Sequence, residues 1–589
     1  MRDREPAIDS STDRRTRGTA RGPAVRKLSL PSWLTSPLVR ALSARRPGVT
    51  AGLLLAAALV VYAGVTLWLT RGTAFSADEV DFFAQARRGL DPAAIVRPHN
   101  SQLMALNRVL YAGVLGLFGP DYLVIRLAMI AAVAAAAVCL FLLLRSRLGE
   151  WIALAATTVV LFLGSTAVTV TPVTMPFAQA AAAGMAAFLA LERRSSRGDV
   201  LACVLLVLSL LSWSTGIAFV AAAAAWILLE PGRRGRIFVF LIPAVLYGVW
   251  YLWAQRFGQG VLSASNLLLI PNYAADSFAA AAGSLAGLNA DFSGAPAGVT
   301  VEIGWGRVVA AVLSAAVIIR LRRAGASAAL VAFLALLAVL WITGALGSGP
   351  LRPPEASRYV YTVAIGVILV TAEAFRGVRV TPAVLLGVLA VMLIALPGNL
   401  VHLRETGAAL RLTSAETRAR LGVLELERPW VKPRFAGGLV LPVRANEYFA
   451  AVDRFGSFAL SPEQIVRQAA PVRVDADATL GQIVRPRAIP VAGPPGRCLT
   501  VPREGAAAGF QLPPGGAVLR SDTGARLRLR RFASKYVIAA GPLAAGRFAV
   551  VLLPADAARR PWSASVDATV AVCPLRPSSQ TRGARGPGR

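Results

Sequence analysis

A group of carboxylates follows the first long apolar stretch of the chain. Asp78, Glu79 and Asp81 lie within the sequence ADEVDFF, shortly after the apolar residues 51–70. Asp78 and Asp81 are three positions apart and would share one face of a helix. Burial close to lipid raises the pKa of a carboxyl group and suits it to proton transfer. These carboxylates are therefore candidates for general acid or base chemistry.

Glu79 has a structural alternative. Ser76 and Glu79 match the S-x-x-E pattern of a capping box, and acidic side chains suit the first turn of a helix. A capping role explains Glu79 as well as catalysis does. It explains Asp78 and Asp81 less well, because neither belongs to the pattern.

Two further polar motifs could bind an anion. The sequence RPHNSQ supplies Arg97, His99, Asn100 and Gln102. Instead of binding a ligand, Asn100 could cap the next helix, and Arg97 and His99 could be solvated loop residues. The sequence LRPPEASRYVY supplies Arg352, Glu355, Arg358 and Tyr359 just after an apolar run. Its structural alternative to anion binding is an interfacial belt with tyrosine at headgroup depth. Arginine on the external side departs from the positive-inside rule and suggests an anionic ligand such as a lipid phosphate.

These motifs must be positioned by membrane helices. The chain has 589 residues, of which 56% are hydrophobic and 16% charged. Its apolar runs of about 20 residues are long enough to cross a bilayer. The net charge of +31 is explained by basic loops and tails, so nucleic acid is not an expected partner.

The pattern predicts an all-α polytopic membrane domain at 47–400 with about eleven spans. A basic tail at 1–46 is expected to be largely disordered and cytoplasmic, and the loops at 71–120 and 256–300 to be external. The apolar run at 200–230 has basic residues at both ends and should form a hairpin that turns near 212–216.

The last third of the chain is polar and reads as strands. Short alternating segments at 401–576 predict an extracytoplasmic, mainly-β domain resembling a sandwich or jelly roll, followed by a disordered basic tail at 577–589. Cys498 and Cys573 would lie on the oxidising side, where they can form a disulfide that closes the first and last strands of the domain. The spacing of His, Cys and acidic residues predicts no metal site, and no cofactor is expected.

The motifs resemble those of the GT-C class of membrane glycosyltransferases. Asp78-Glu79 stands where that class has an acidic pair, RPHNSQL resembles the stretch that follows it, and ASRYVY resembles a late R-Y element. The similarity covers about 50–400 in layout and does not include the C-terminal domain.

The resemblance implies a bacterial plasma-membrane enzyme that transfers a sugar from a polyprenyl-phosphate carrier to a glycan or lipid of the cell envelope, with inversion. Asp78 would be the general base, and Glu79 or Asp81 would orient the acceptor. Arg352 and Arg358 would hold the departing lipid phosphate. The remaining residues of the two anion-binding motifs would assist in substrate binding; these are Arg97, His99, Asn100, Gln102, Glu355 and Tyr359.

Two alternatives stay open at this stage. A lipid or polysaccharide transporter or flippase would place ionisable groups at mid-membrane, and the apolar runs contain few. A non-catalytic envelope scaffold would bind glycan through the C-terminal domain. Arg526, Arg528 and Arg530 lie on one face of a predicted strand and could contact an acidic polymer there, although a solvated face explains them too.

Overall fold

Helices form along the apolar runs of the sequence. The computed structural model describes residues 47–230, 233–258, 262–288, 301–349, 352–436, 443–493, 496–555 and 560–575. The predicted tails at 1–46 and 577–589 lie outside these ranges, as do the predicted loop residues 289–300. Residues 47–52 form the first turns of a helix, and the described chain from Leu53 onward forms one compact unit.

Eight helices of the described chain are long and apolar enough to cross a membrane, so the protein is a membrane protein. They are α1 (Pro47–Leu69), α5 (Tyr122–Leu148), α7 (Met175–Glu192), α10 (Phe238–Ala254), α12 (Gly304–Ala324), α13 (Ala328–Leu346), α14 (Ser357–Ala374) and α15 (Pro382–Leu426). Shorter helices lie between them: α2 (Glu79–Ala86), α3 (Pro92–Val96), α4 (Ala105–Phe118), α6 (Glu150–Leu161), α8 (Ser196–Ser212), α9 (Gly216–Leu229) and α11 (Ile270–Ala286).

Side-chain caps set several helix starts. Asp121 accepts from the Leu123 N–H at 2.9 Å at the start of α5, and Ser327 accepts from the Leu330 N–H at 3.1 Å at the start of α13. These bonds satisfy N–H groups that have no partner within the helix. The cap positions therefore follow directly from the sequence.

The run at 200–230 forms two helices, α8 and α9, which are joined by a turn at Trp213–Thr215. Gly216 is required there, because a Cβ atom would lie 2.7 Å from the backbone N of Leu210. At 17 and 14 residues, the two arms extend only about 26 and 21 Å, less than the roughly 30 Å of hydrocarbon. The turn lines an internal cavity, which gives its polar groups an environment other than lipid.

Residues 270–286 belong to a segment that we predicted as an external loop, but they form helix α11. Alanine, glycine and serine give this segment a weak hydropathy signal while allowing close helix packing. Ala279–Ala282 are fully buried, and a Cβ on Gly306 of α12 would lie 2.1 Å from the Ala279 carbonyl oxygen. Small side chains thus bring α11 and α12 into backbone contact.

Helix α15 has 45 residues and continues without a break across position 400. Its first part is apolar. Ser414 in its second part donates to the Ala74 carbonyl at 3.1 Å and accepts from the Ala74 N–H at 2.7 Å. These bonds fix the segment that leads into α2.

Buried ion pairs lie at the end of α5 opposite Tyr122. Arg147 contacts Glu373 at 2.7 Å and Glu192 at 2.6 Å, and the Arg147 side chain is only 1% exposed. Helix α5 has 27 residues and is therefore about 40 Å long. The Arg147 cluster and the surroundings of Tyr122 thus belong to opposite ends of the helical bundle.

The C-terminal part contains helices α16 (Ala445–Phe455), α17 (Pro462–Val466) and α18 (Ala470–Val484), and then two antiparallel sheets. The strands are β1 (Ala488–Val491), β2 (Leu499–Val501), β3 (Phe510–Leu512), β4 (Gly516–Arg520), β5 (Ala525–Arg530), β6 (Ile538–Leu543), β7 (Phe548–Leu552), β8 (Trp562–Val566) and β9 (Val570–Pro574); helix α19 (Arg503–Ala508) follows β2.

The strand order is that of a jelly roll with one added strand. The sheets run β1-β7-β4-β9-β2 and β3-β8-β5-β6, and β1 is the addition. The predicted fold class, a helical membrane domain followed by a β-rich domain, is confirmed. Cys498 and Cys573 form a disulfide that joins the start of β2 to β9; β2 is the second strand of the domain, not the first as we expected.

Buried polar contacts attach the sheets to the helices. Asp477 of α18 accepts from the backbone N–H groups of Arg531, Phe532 and Ala533, each at 2.9 Å. Arg531 also pairs with Glu427, which follows α15, at 3.0 Å, and both side chains are at most 2% exposed. The C-terminal part is thereby bonded to the end of the long helix.

Candidate active site

A cavity of about 920 Å³ lies between α7–α11, α13 and α14, and the loop at 97–102 borders it. Most of its wall is apolar or aromatic, including Phe177, Leu210, Ile217, Tyr247, Tyr251, Leu340 and Val363. Its polar lining includes six residues of the sequence motifs, namely Asp78, Asn100, Gln102, Arg352, Arg358 and Tyr359. The cavity therefore offers an apolar surface together with a carboxylate and two guanidinium groups.

The two arginines approach the loop from the start of α14. Arg352 donates to the Asn100 carbonyl at 3.3 Å, and the Arg358 guanidinium lies over the Tyr359 ring at 4.9 Å from its centroid. Arg358 also helps to lower the pKa of Asp78. Residues that are more than 250 positions apart in sequence thus form one electrostatic group.

His99 lies between two carboxylates. Its Nδ1 is 3.1 Å from Asp81 Oδ2, and its Nε2 is 3.6 Å from Asp78 Oδ2. Burial opposes protonation of the ring, but Asp78 and Asp81 more than offset it and raise the pKa of His99 to about 9. The ring is therefore an imidazolium at neutral pH. Its Nδ1–H donates to Asp81 Oδ2, and its charge forms an ion pair with Asp78.

Asp78 remains accessible while it is held as a carboxylate. Its side chain is 49% exposed. Hydrogen bonding to His99 lowers the pKa of Asp78; burial works in the opposite direction, and the charges of His99 and Arg358 lower it further. Asp78 is thus ionised and reachable from the cavity, as a general base must be.

The loop beside Asp78 is a two-residue hairpin with a strained backbone. The His99 N–H donates to the Gln102 carbonyl at 3.0 Å, and the reverse bond is 2.8 Å. Asn100 and Ser101 between them have φ angles of +49° and +69°, as a type I′ turn requires. Asparagine tolerates this region, whereas serine is seldom found there. Strain of this kind is concentrated at functional sites.

Glu79 is fully buried and does not line the cavity. It accepts from Tyr111 Oη at 2.6 Å, from Tyr122 Oη at 2.8 and 2.9 Å, and from the Ser76 N–H at 3.2 Å. Burial raises the pKa of Glu79 to about 7, although these hydrogen bonds oppose the increase. The expected capping box is not formed, because α2 begins at Glu79 and its N-cap position is Asp78 rather than Ser76. The tyrosines tie α2 to α4 and α5.

The other predicted site residues also lie outside the cavity lining. Asp81 contacts His99 and Gln85. Arg97 is exposed, and its guanidinium lies 5.4 Å from the Phe257 ring centroid. The Glu355 carbonyl accepts from the Val301 N–H at 3.0 Å. These residues surround the site rather than face it.

Sequence reasoning did not identify a buried arginine that supports the loop. Arg108 of α4 is 7% exposed and donates to the carbonyls of Ala94, Ile95 and Arg97, at the end of α3. It satisfies acceptors that the short helix leaves open. The sequence feature that could have identified Arg108 is its place as a single arginine in the largely apolar segment ALNRVLYAGVLGLF.

Among the described residues, no group of three or more His, Cys, Asp or Glu side chains is arranged to hold a metal ion. No family model matches the chain, and no curated protein matches it. The crystal structure of an oligosaccharyltransferase from Archaeoglobus fulgidus, tethered with an acceptor peptide, matches with a TM-score of 0.35 and 14% identity. The match covers 64% of this chain and 58% of that one, less than two thirds of its length.

Proposed function

We propose that the protein is an integral-membrane glycosyltransferase. It transfers a sugar from a polyprenyl-phosphate carrier to a hydroxyl group of a cell-envelope acceptor, at the non-cytoplasmic side of a bacterial plasma membrane. The observation that carries the proposal is the shared cavity of Asp78, Arg352 and Arg358. A general base and two phosphate-binding cations meet there between helices that can cross a membrane.

Asp78 accepts the proton of the acceptor hydroxyl as its oxygen attacks the anomeric carbon of the sugar. The bond from that carbon to the phosphate oxygen breaks, and the configuration inverts. The polyprenyl phosphate leaves with the bonding electrons. Arg352 and Arg358 stabilise the negative charge that develops on it, and a guanidinium group suits phosphate because its donors match the oxygen geometry.

The walls of the cavity support an amphiphilic donor. Leu210, Ile217 and Leu340 supply apolar surface that suits an isoprenoid chain, whereas the polar groups gather where the loop at 97–102 meets α14. Cavities of roughly 300–1,000 Å³ are typical of small-molecule sites, and the observed volume of about 920 Å³ lies in this range. A soluble activated sugar has no apolar chain to contact the apolar wall.

Glu79 is not included in the proposed catalytic group. It lies outside the cavity, and its two oxygens are already occupied by tyrosine and serine donors. His99 and Asp81 contact Asp78 or each other rather than the cavity, so we assign them to holding the base. Asn100, Gln102 and Tyr359 line the cavity and are assigned to substrate contact.

The test is Asp78→Asn in purified protein that is supplied with labelled polyprenyl-phosphate sugars and envelope acceptors. We expect transfer to fall by at least about 100-fold, the lower limit for a general base, while donor binding is retained. Asp91→Asn is the matched control, because Asp91 caps α3 and does not line the cavity. Normal transfer by the Asp78 variant would refute the assignment, as would carrier transport without transfer by the wild type in liposomes.

A further inference from the structure

Thr362 carries a buried hydroxyl group on the cavity wall. The residue is 1% exposed, lies on α14 and lines the cavity, and its Oγ1 has no hydrogen-bond partner within the described part of the chain. A buried polar group that lacks a hydrogen bond destabilises the protein. Such a group at a cavity wall is a candidate ligand contact.

Three helical threonines in the same molecule satisfy their hydroxyls within their own helix, whereas the buried hydroxyls of Thr66 and Thr157 resemble that of Thr362 but lie outside the cavity lining. Thr343 donates to the Val339 carbonyl at 2.7 Å, Thr371 to Val367 at 2.8 Å and Thr158 to Leu154 at 2.8 Å. Each satisfies its hydroxyl on the carbonyl four residues earlier, the usual solution in an apolar helix. Thr362 makes no such bond to Arg358.

A second such hydroxyl belongs to the turn between α8 and α9. Thr215 Oγ1, in the turn between α8 and α9, is buried and unpartnered among the described residues, and Thr215 also lines the cavity. The turn exposes non-helical backbone inside the bundle. Non-helical backbone at membrane depth is tolerated where it is surrounded by protein or lines a cavity.

Aromatic rings connect the two threonines. Trp213, two residues before Thr215, packs on Phe177 at 4.7 Å between centroids, and Phe177 contacts Tyr359 at 6.2 Å. Tyr359 is three residues before Thr362 and lies on the same face of α14. The threonines and these aromatic side chains all line the cavity.

We propose that Thr215 and Thr362, together with Trp213 and Phe177, form the subsite for the sugar ring of the lipid-linked donor. The subsite is neutral and is separate from the phosphate-binding position of Arg358, because Thr362 lies one turn, about 6 Å, further along α14. A hydroxyl group both donates and accepts, which matches a sugar hydroxyl, and aromatic faces suit the apolar face of a sugar ring. The inference rests on the proposed function and adds the residues that distinguish one sugar from another.

The experiment measures binding to purified protein of three probes: a polyprenyl-phosphate hexose, a polyprenyl-phosphate pentose and polyprenyl phosphate without sugar. Thr362→Val and Thr215→Val remove the hydroxyl and keep the shape. We expect each to weaken binding of at least one glycosylated carrier by roughly 3- to 10-fold, the value of one neutral hydrogen bond. Binding of the sugar-free carrier should be unchanged.

Thr343→Val is the matched control, because Thr343 lines the same cavity but bonds its own helix. It should leave all three affinities within about twofold. Thr362→Ser restores the hydroxyl and should restore binding. An equal loss for the glycosylated and sugar-free carriers would overturn the sugar subsite, and so would no loss at all. If the wild type bound the sugar-free carrier but neither glycosylated one, the proposed function itself would fail.

Discussion

Asp78 combines three properties that rarely occur together in one side chain. It is half exposed, it is close to His99 and Arg358, and the resulting charge environment lowers its pKa. The sequence predicted this aspartate as the base and both cations as members of the site. It did not predict that His99 would bridge Asp78 and Asp81, since contact across 18 positions depends on how the loop at 97–102 folds back.

We predict that His99→Gln shifts the acid limb of the pH–rate profile of transfer to higher pH. The imidazolium holds the pKa of Asp78 down, so without it the base is protonated at a higher pH. In the wild type, transfer should also change as the pH rises through about 9, where His99 loses its proton. That second change should be absent from the variant.

His402→Gln is the matched control. His402 is the other histidine of the chain, lies on α15 and pairs with Glu405 at 3.5 Å, outside the cavity lining. Its profile should follow that of the wild type. An acid limb that does not move in His99→Gln would show that the histidine does not hold Asp78.

Short elements position the base under backbone strain. Ala77, directly before Asp78, has a φ angle of +48°, and the type I′ turn at Asn100–Ser101 adds two more residues with positive φ. A sequence pattern cannot reveal such angles where alanine or serine occupies a position that normally takes glycine. The strained positions lie on both sides of the contact between Asp78 and His99, so the backbone there is held by tertiary contacts rather than by local preference.

Ala77→Val should lower stability by up to about 2 kcal/mol, because the left-handed region is still less accessible to a side chain branched at Cβ than to alanine. Ala77→Gly should be at least as stable as the wild type, since glycine adopts this region freely. Ala93→Val tests the same change at an exposed helical position. Thermal unfolding in detergent checks all three, and equal losses at positions 77 and 93 would contradict the strain interpretation.

At the scale of the whole molecule, the secondary structure was predictable where the apolar pattern of the sequence was strong. The apolar runs became helices, and the run at 200–230 turned where its serines and glycine indicated. Helix α11 was missed because its small residues resemble a loop in hydropathy, although they pack against α12. The alternating strands predicted a sandwich or jelly roll, but the buried pair of Arg531 and Glu427 joins residues 104 positions apart and had no local signal.

Glu427→Gln should destabilise the protein by about 3–5 kcal/mol, because it leaves the Arg531 charge buried and unpaired. Asp453→Asn breaks a geometrically similar pair with Arg428, in which both side chains are about half exposed. It should cost less than about 1 kcal/mol. Denaturant unfolding, monitored by proteolysis of the C-terminal part, distinguishes the two variants. Equal losses of stability would mean that the buried pair does not hold the sheets to α15.

The position of β9 has a consequence for biosynthesis. This strand comes after the other eight in the described chain, yet it lies between β4 and β2 in the interior of its sheet. Until residues 570–574 have been synthesised, β4 and β2 have no common neighbour and Cys498 lacks its disulfide partner. The domain therefore completes its folding only after this stretch is available, and until then its larger sheet stays open between β4 and β2.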